Sequence, residues 1–143
     1  MVGKSFSLKA AAMAQQPHKQ TRTILVVDDE VDICEQISLT LKMDGYTVLS
    51  ASSGNKAFEL TKTHAIDAII SDVRMADGTG IELLEKLKVH GSKPDVFFFM
   101  SAYADKNPEE LRALGADEVF SKPYDIFAFG QRLAVKFLGE DEI

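Results

Sequence analysis

The sequence predicts an α/β domain built on a doubly wound, five-stranded parallel sheet with the strand order 2-1-3-4-5. Three observations carry that expectation. Short β-branched and apolar runs alternate with segments of helical period all the way from Thr23 to Leu138, the signature of repeated strand–helix units. No two strand-like runs are separated by a hairpin-length turn, so the connections must be crossovers between parallel strands. The runs also end on reactive side chains. Val27 leads into Asp28 and Asp29, Ser71 into Asp72, Met100 into Ser101, and Ser121 into Lys122. In open α/β sheets the ligand crevice lies just past the C-terminal strand ends, at the point where the strand order reverses.

Each element has its own signal. Thr23–Val27 is a continuous β-branched and apolar run, as expected of a strand covered on both faces. Ile33, Ile37 and Leu41 recur at helical spacing until Gly45 stops the helix. Thr47–Ala51 reads as a second short strand, and Gly54–Thr63 as a helix with Ala57, Leu60 and Thr61 inward. The third strand, Ala68-Ile69-Ile70-Ser71-Asp72, precedes a loop holding Gly78 and Gly80. Ile81, Leu84, Leu87 and Lys88 mark the next helix, which ends by Gly91. Val96–Met100 is the most apolar run and is expected to be a central strand. Pro108 suits a helix start, with Leu111 and Leu114 inward before Gly115. After the strand that runs into Lys122, Ile126, Phe129, Gly130, Leu133 and Phe137 form one apolar stripe.

Composition bounds the rest. At 143 residues the chain has room for one domain, and its 45% apolar and 27% charged content is ordinary for a globular protein. The expected organisation is a mobile N-terminal tail over 1–22, one domain over 23–138 and a frayed end over 139–143. The tail's Ala10-Ala11-Ala12-Met13-Ala14 faintly resembles a signal-peptide end, but Lys9 interrupts the apolar stretch such a peptide needs. No run approaches the length of a membrane span. The single Cys34 excludes an internal disulfide and suits a reducing, cytoplasmic setting. The tail holds four basic residues and no acid, so of the net −6 the remainder carries −10. A body that acidic disfavours direct nucleic-acid binding and suits a cation site or basic partners.

Taken singly, these residues have ordinary explanations. An Asp after a strand commonly forms a turn or caps a helix, and Lys122 and Ser101 could be a surface amine and a loop hydroxyl. His18, His64 and His90 have no metal-ligand spacing, and Cys34 on a helix reads as a packing residue. Together the residues suggest a reaction. Three carboxylates converging on one crevice raise one another's pKa unless a cation joins them. An all-oxygen site with few protein ligands suits Mg²⁺, or Mn²⁺. A carboxylate beside such an ion can attack a phosphoryl group, while an ammonium and a hydroxyl neutralise its remaining oxygens.

The chain resembles the receiver domains of two-component response regulators, the CheY-like family with a flavodoxin-like strand order. The resemblance covers about residues 23–138 and rests on Val26-Val27-Asp28-Asp29-Glu30, Asp72 with Gly80 beyond it, Met100-Ser101-Ala102 and Ser121-Lys122-Pro123. It implies that Asp72 accepts a phosphoryl group from a sensor histidine kinase or a histidine phosphotransfer protein. Asp29, Asp28 and Asp72 with the Arg74 backbone carbonyl would hold the metal. Ser101 and Lys122 would contact the phosphoryl group, Phe120 would be the aromatic switch coupled to Ser101, and Lys122–Pro123 would be a cis peptide. Arg74 and Tyr103 occupy positions that influence how water reaches the phosphoryl group. Ala76 stands where the family often has proline, which implies a less stiff loop.

With five residues after Leu138, a stand-alone switch is expected, monomeric or dimerising on phosphorylation. Its output would be a protein contact through the last two helices and the strand between them, including Arg112, Phe120 and Tyr124. Other classes fare worse. A phosphatase of the haloacid-dehalogenase type needs a second acid two residues beyond the nucleophile, where Arg74 stands. A flavodoxin-like cofactor binder needs a glycine-rich phosphate loop after the first strand, where this chain has Asp28-Asp29-Glu30. The alternative is a pseudo-receiver that keeps the fold as a scaffold and is not phosphorylated.

Overall fold

The structure, a computed structural model, describes residues 22–102 and 106–139. The expected tail before Arg22, Tyr103 and the acidic end after Gly139 lie outside the described residues. Strands and helices alternate without interruption: β1 (Thr23–Val27), α1 (Val31–Met43), β2 (Thr47–Ala51), α2 (Gly54–Thr63), β3 (Ala68–Asp72), α3 (Gly80–Val89), β4 (Val96–Ser101), α4 (Pro108–Ala113), β5 (Glu118–Ser121) and α5 (Ile126–Leu138). The five strands form one parallel sheet in the order β2-β1-β3-β4-β5, as the alternation predicts.

Side-chain alternation along the strands divides the core into two layers. Ile24, Val26, Ile70, Phe98 and Met100 point to one face, where Cys34, Ile37 and Leu41 of α1 and Phe129 and Leu133 of α5 cover them. Leu25, Val27, Ile69, Phe97 and Phe99 point to the other, under Ala57 of α2, Leu83, Leu84 and Leu87 of α3, and Leu111 of α4. Because both faces are covered, the strands read as unbroken apolar runs. Phe97, Phe98 and Phe99 are all fully buried, each contributing roughly 1.5–3 kcal/mol of transfer free energy. β4 is therefore a central strand, paired with β3 on one side and β5 on the other, as its apolar content predicts.

Two acids fasten the starting ends of the strands by the same local device. Asp67 donates its backbone N–H to the Thr23 carbonyl at 2.9 Å, and its Oδ2 accepts the Thr23 N–H at 2.7 Å. Asp117 repeats this with Phe97, at 2.8 Å in both directions. These carboxylates thus hold β1 to β3 and β4 to β5 one residue before each pairing begins. The helices start as their sequences suggest. Pro108 opens α4 behind the Asn107 cap, and α3 has a full capping box between Thr79 and Glu82. Where the domain's two ends meet, the Arg22 guanidinium lies 4.1 Å above the Phe137 ring.

Candidate functional site

Because β1 has β2 on one side and β3 on the other, the crossovers diverge at β1/β3 and open a crevice past their C-terminal ends. Asp28 and Asp29 follow β1 directly and Asp72 ends β3. Each offers a carboxylate oxygen, all within 4.8 Å of one another. Asp28 is almost completely buried. Its backbone N–H is held by the Ala51 carbonyl at 3.1 Å, and its Oδ1 accepts the Glu30 N–H at 2.8 Å. Its Oδ2 is buried with no hydrogen-bond partner among the described residues. Buried polar atoms are almost always satisfied, so this oxygen has the chemistry to accept a donor or a cation.

Asp72 is also buried. Burial first, then the Asp28 charge, push its pKa up to about 6, against the pull of Lys122 and a backbone N–H from Val73. Burial likewise raises Asp28, opposed by the Glu30 N–H. These groups are poor places for negative charge without a cation, and oxygen-only donors fit a hard divalent ion. The backbone beneath is tightly packed. Val73 N–H donates to the Met100 carbonyl at 3.1 Å and Gly80 N–H to the Val73 carbonyl at 2.9 Å. A Cβ at Gly80 would collide with the Asp72 carbonyl, so only glycine lets α3 start directly under the acid.

The other candidates occupy neighbouring strand ends. Ser101 is the last residue of β4 rather than the first loop residue, buried, with its hydroxyl donating to the Ala102 carbonyl at 3.2 Å. Lys122 is exposed, follows β5, and donates its backbone N–H to the Ser101 carbonyl at 2.9 Å. The Lys122–Pro123 bond is cis. Arg74 is exposed on the loop after β3. Phe120 is half-buried, its ring centroid 5.2 Å from Phe98 and 4.7 Å from Phe129. Arg112 is exposed and Tyr124 half-buried.

Tyr124 is expected only on a contact surface, yet its hydroxyl is buried without a partner among the described residues. Burial, with Asp28 and Asp72 adding to it, pushes this phenol to about 12. The sequence holds no signal for that, since a tyrosine after Lys-Pro reads equally well as a surface aromatic. A cavity of about 900 Å³ runs along the outer edge of β2 between α1 and α2 and meets the acid cluster only at Asp28. The reactive groups, not the larger hollow, mark the site.

The fold and this donor set define a parallel α/β domain with a cluster of three carboxylates at its topological switch point. The chain matches the profile of the response regulator receiver domain over residues 24–134 and belongs to that family. Among curated relatives, it is 30% identical over 115 residues to the transcriptional regulatory protein YvrH of Bacillus subtilis, covering 80% of this chain and 48% of that one. It is 33% identical over 112 residues to the transcriptional regulatory protein KdpE of Mycobacterium tuberculosis, covering 77% and 48%. The chain thus spans about half the length of these curated relatives. Among solved structures, the chemotaxis response regulator CheY4 of Vibrio cholerae superposes with a TM-score of 0.71 at 28% identity, covering 81% of this chain and 98% of that one. A response regulator receiver domain protein of Clostridium thermocellum superposes with a TM-score of 0.69 at 27% identity, covering 85% and 96%. Receiver domains as a family bind Mg²⁺ at an acidic pocket and are phosphorylated by histidine kinases or phosphotransfer proteins. Among the described residues, no helix is long and apolar enough to cross a membrane.

Proposed function

We propose that this chain is a phosphoacceptor switch in which Asp72 receives a phosphoryl group from the phosphohistidine of a sensor kinase or histidine phosphotransfer protein. The observation that carries the reading is the convergence of Asp28, Asp29 and Asp72 around one point, with Asp28 Oδ2 buried and unpartnered. Asp28, Asp29, Asp72 and the Arg74 carbonyl would hold Mg²⁺ or Mn²⁺, which supplies positive charge to the phosphoryl oxygens. An Asp72 carboxylate oxygen attacks phosphorus as the P–N bond to the donor imidazole breaks. The electron pair stays on that nitrogen, which takes up a proton. The Lys122 ammonium and Ser101 hydroxyl stabilise the oxygens left facing β4 and β5, and burial keeps water from competing. As Ser101 is drawn to the acyl phosphate, the space beside it changes and Phe120 turns with it, altering the surface formed by α4, β5 and α5.

On this reading the domain is a cytoplasmic signalling module, not an enzyme with turnover on an external substrate. The lone Cys34 agrees with such a location. Its downstream contact is another protein or a second copy of the domain. The stand-alone arrangement expected from the chain's end draws no support from relatives about twice its length.

The test is intact mass after incubation with acetyl phosphate and Mg²⁺, with Asp72→Asn alongside. One phosphoryl group gained by the wild type and lost in the variant is expected. No gain, together with no binding of a beryllofluoride mimic, would leave the scaffold reading instead. Arg74→Ala should alter the lifetime of the phosphorylated form. An unchanged half-life would remove Arg74 from any role in water access.

A further inference from the structure

The loop between β3 and α3 contains Arg74, whose carbonyl completes the metal site proposed above, so any role for this loop at the metal rests on that reading. Its root is held by backbone hydrogen bonds from Val73 and Gly80. Its apex is held differently. Asp77 lies in the left-handed region at φ 58°, an uncommon conformation for a residue with a side chain. Its Oδ2 accepts from the Ser53 hydroxyl at 2.9 Å and its Oδ1 from Asn55 Nδ2 at 2.9 Å. The backbones join as well: Asn55 N–H donates to the Asp77 carbonyl at 3.1 Å and Gly54 N–H to the Gly78 carbonyl at 2.9 Å.

The pairing fits only in this form. A Cβ at Gly54 would sit 2.6 Å from the Gly78 carbonyl oxygen, and one at Gly78 would sit 2.8 Å from the Asn55 backbone nitrogen. Across the gap, Lys86 of α3 donates its ammonium to Asn55 Oδ1 at 2.8 Å. An ammonium only donates and an ionised carboxylate only accepts. Lys86 on one side and Asp77 on the other therefore fix which way the Asn55 amide faces. Lys86, Asn55, Asp77 and Ser53 form one chain of hydrogen bonds running from α3, across the start of α2, to the loop.

We propose that Asp77 is a positioning residue for the metal site. Its carboxylate clamps the apex of the β3–α3 loop to the start of α2 and so sets where the Arg74 carbonyl points. Ala76 occupies a place where a proline ring would stiffen the chain, and the Asp77 clamp supplies stiffness by another route. Groups that orient metal ligands from behind typically change affinity by ten- to a hundredfold when removed.

The test uses Asp77→Gly, which deletes the carboxylate but tolerates the positive φ, and Asp77→Asn, whose amide can still accept from Asn55 and donate to Ser53. Mg²⁺ affinity is measured by calorimetric titration, with Asp29→Ala as the reference for a lost ligand. Asp77→Gly should weaken Mg²⁺ about tenfold, with Asp77→Asn close to wild type. In the metal-free protein, the amides of 74–76 should exchange faster in the Gly variant, while those of β4 keep their wild-type rates. Wild-type Mg²⁺ affinity in Asp77→Gly, or unchanged exchange at 74–76, would overturn the clamp and leave the phosphoacceptor reading standing. Equal weakening in the Asn variant would also overturn it, because charge rather than positioning would then be the cause. Failure of the wild type to bind Mg²⁺ would sink both.

Discussion

The two ends of the parallel sheet use the same residue for opposite purposes. At the starting end, Asp67 and Asp117 each take a backbone N–H on a carboxylate oxygen and return a backbone N–H to the same partner. At the finishing end, Asp28 has one oxygen without a donor among the described residues, and Asp72 has its carboxyl raised to about 6 by burial and by Asp28. Satisfied carboxylates hold strands together. Frustrated ones lower stability and, on the function proposed above, would be relieved by a cation. On the function proposed above, stability and function are segregated to opposite ends of the same strands, as happens where an active site is retained against folding energetics.

Substitutions can break or sharpen that contrast. The largest effect should come from Asp29→Ala or from chelator, either of which should abolish phosphoryl uptake measured by mass. Robust uptake without metal would remove the finishing end's claim to be a cation site. Next, Asp72→Asn should stabilise the chelator-treated protein at neutral pH by about 2 kcal/mol, raising its melting temperature by about 5 °C. The pH dependence comes from the same group. With a folded-state pKa near 6 against an ordinary 3.8, the native chain holds that proton more tightly than the unfolded one. Its contribution to stability is complete below the ordinary value and disappears as pH rises through about 6. Denaturant titrations across that window should show metal-free wild type weakening and Asp72→Asn staying flatter.

At the starting end the sign reverses. Asp117→Ala and Asp67→Ala should each cost about 1.5–3 kcal/mol, since each removes a charge-assisted hydrogen bond to a strand backbone. A stabilising result for either would erase the distinction between the two ends. The smallest effect belongs to Tyr124→Phe. It removes a hydroxyl that is buried and unpartnered among the described residues while keeping the ring against Phe129, so metal-free stability should change by less than about 1 kcal/mol, toward greater stability.

What could be read beforehand divides along the same line. The sheet, its order and the residues at its finishing end were legible because burial on both faces leaves unbroken apolar runs, and each run stops on the residue it presents. The fastening acids were not. Asp67 and Asp117 look like any acid in a loop, and only the strand register brings Asp67 opposite Thr23 and Asp117 opposite Phe97. The clamp on Asp77 was hidden for a similar reason, because its partners Ser53 and Asn55 lie more than twenty residues away in sequence. The expectation that β4 would be a central strand held because it is covered on both faces and paired on both edges.

The cation–π contact between Arg22 and Phe137 bears on modularity. It brings the start of the first strand beside the last turn of the last helix, so the domain's two ends meet at one place on its surface. A domain closed in this way can be spliced into a loop of a host protein, or have its old ends joined by a short glycine-rich linker and new ones opened elsewhere, with little change in its core. For such a rewired chain, the exposed turn at Gly91 is a suitable opening, remote in the fold from the acids at the finishing ends of β1 and β3.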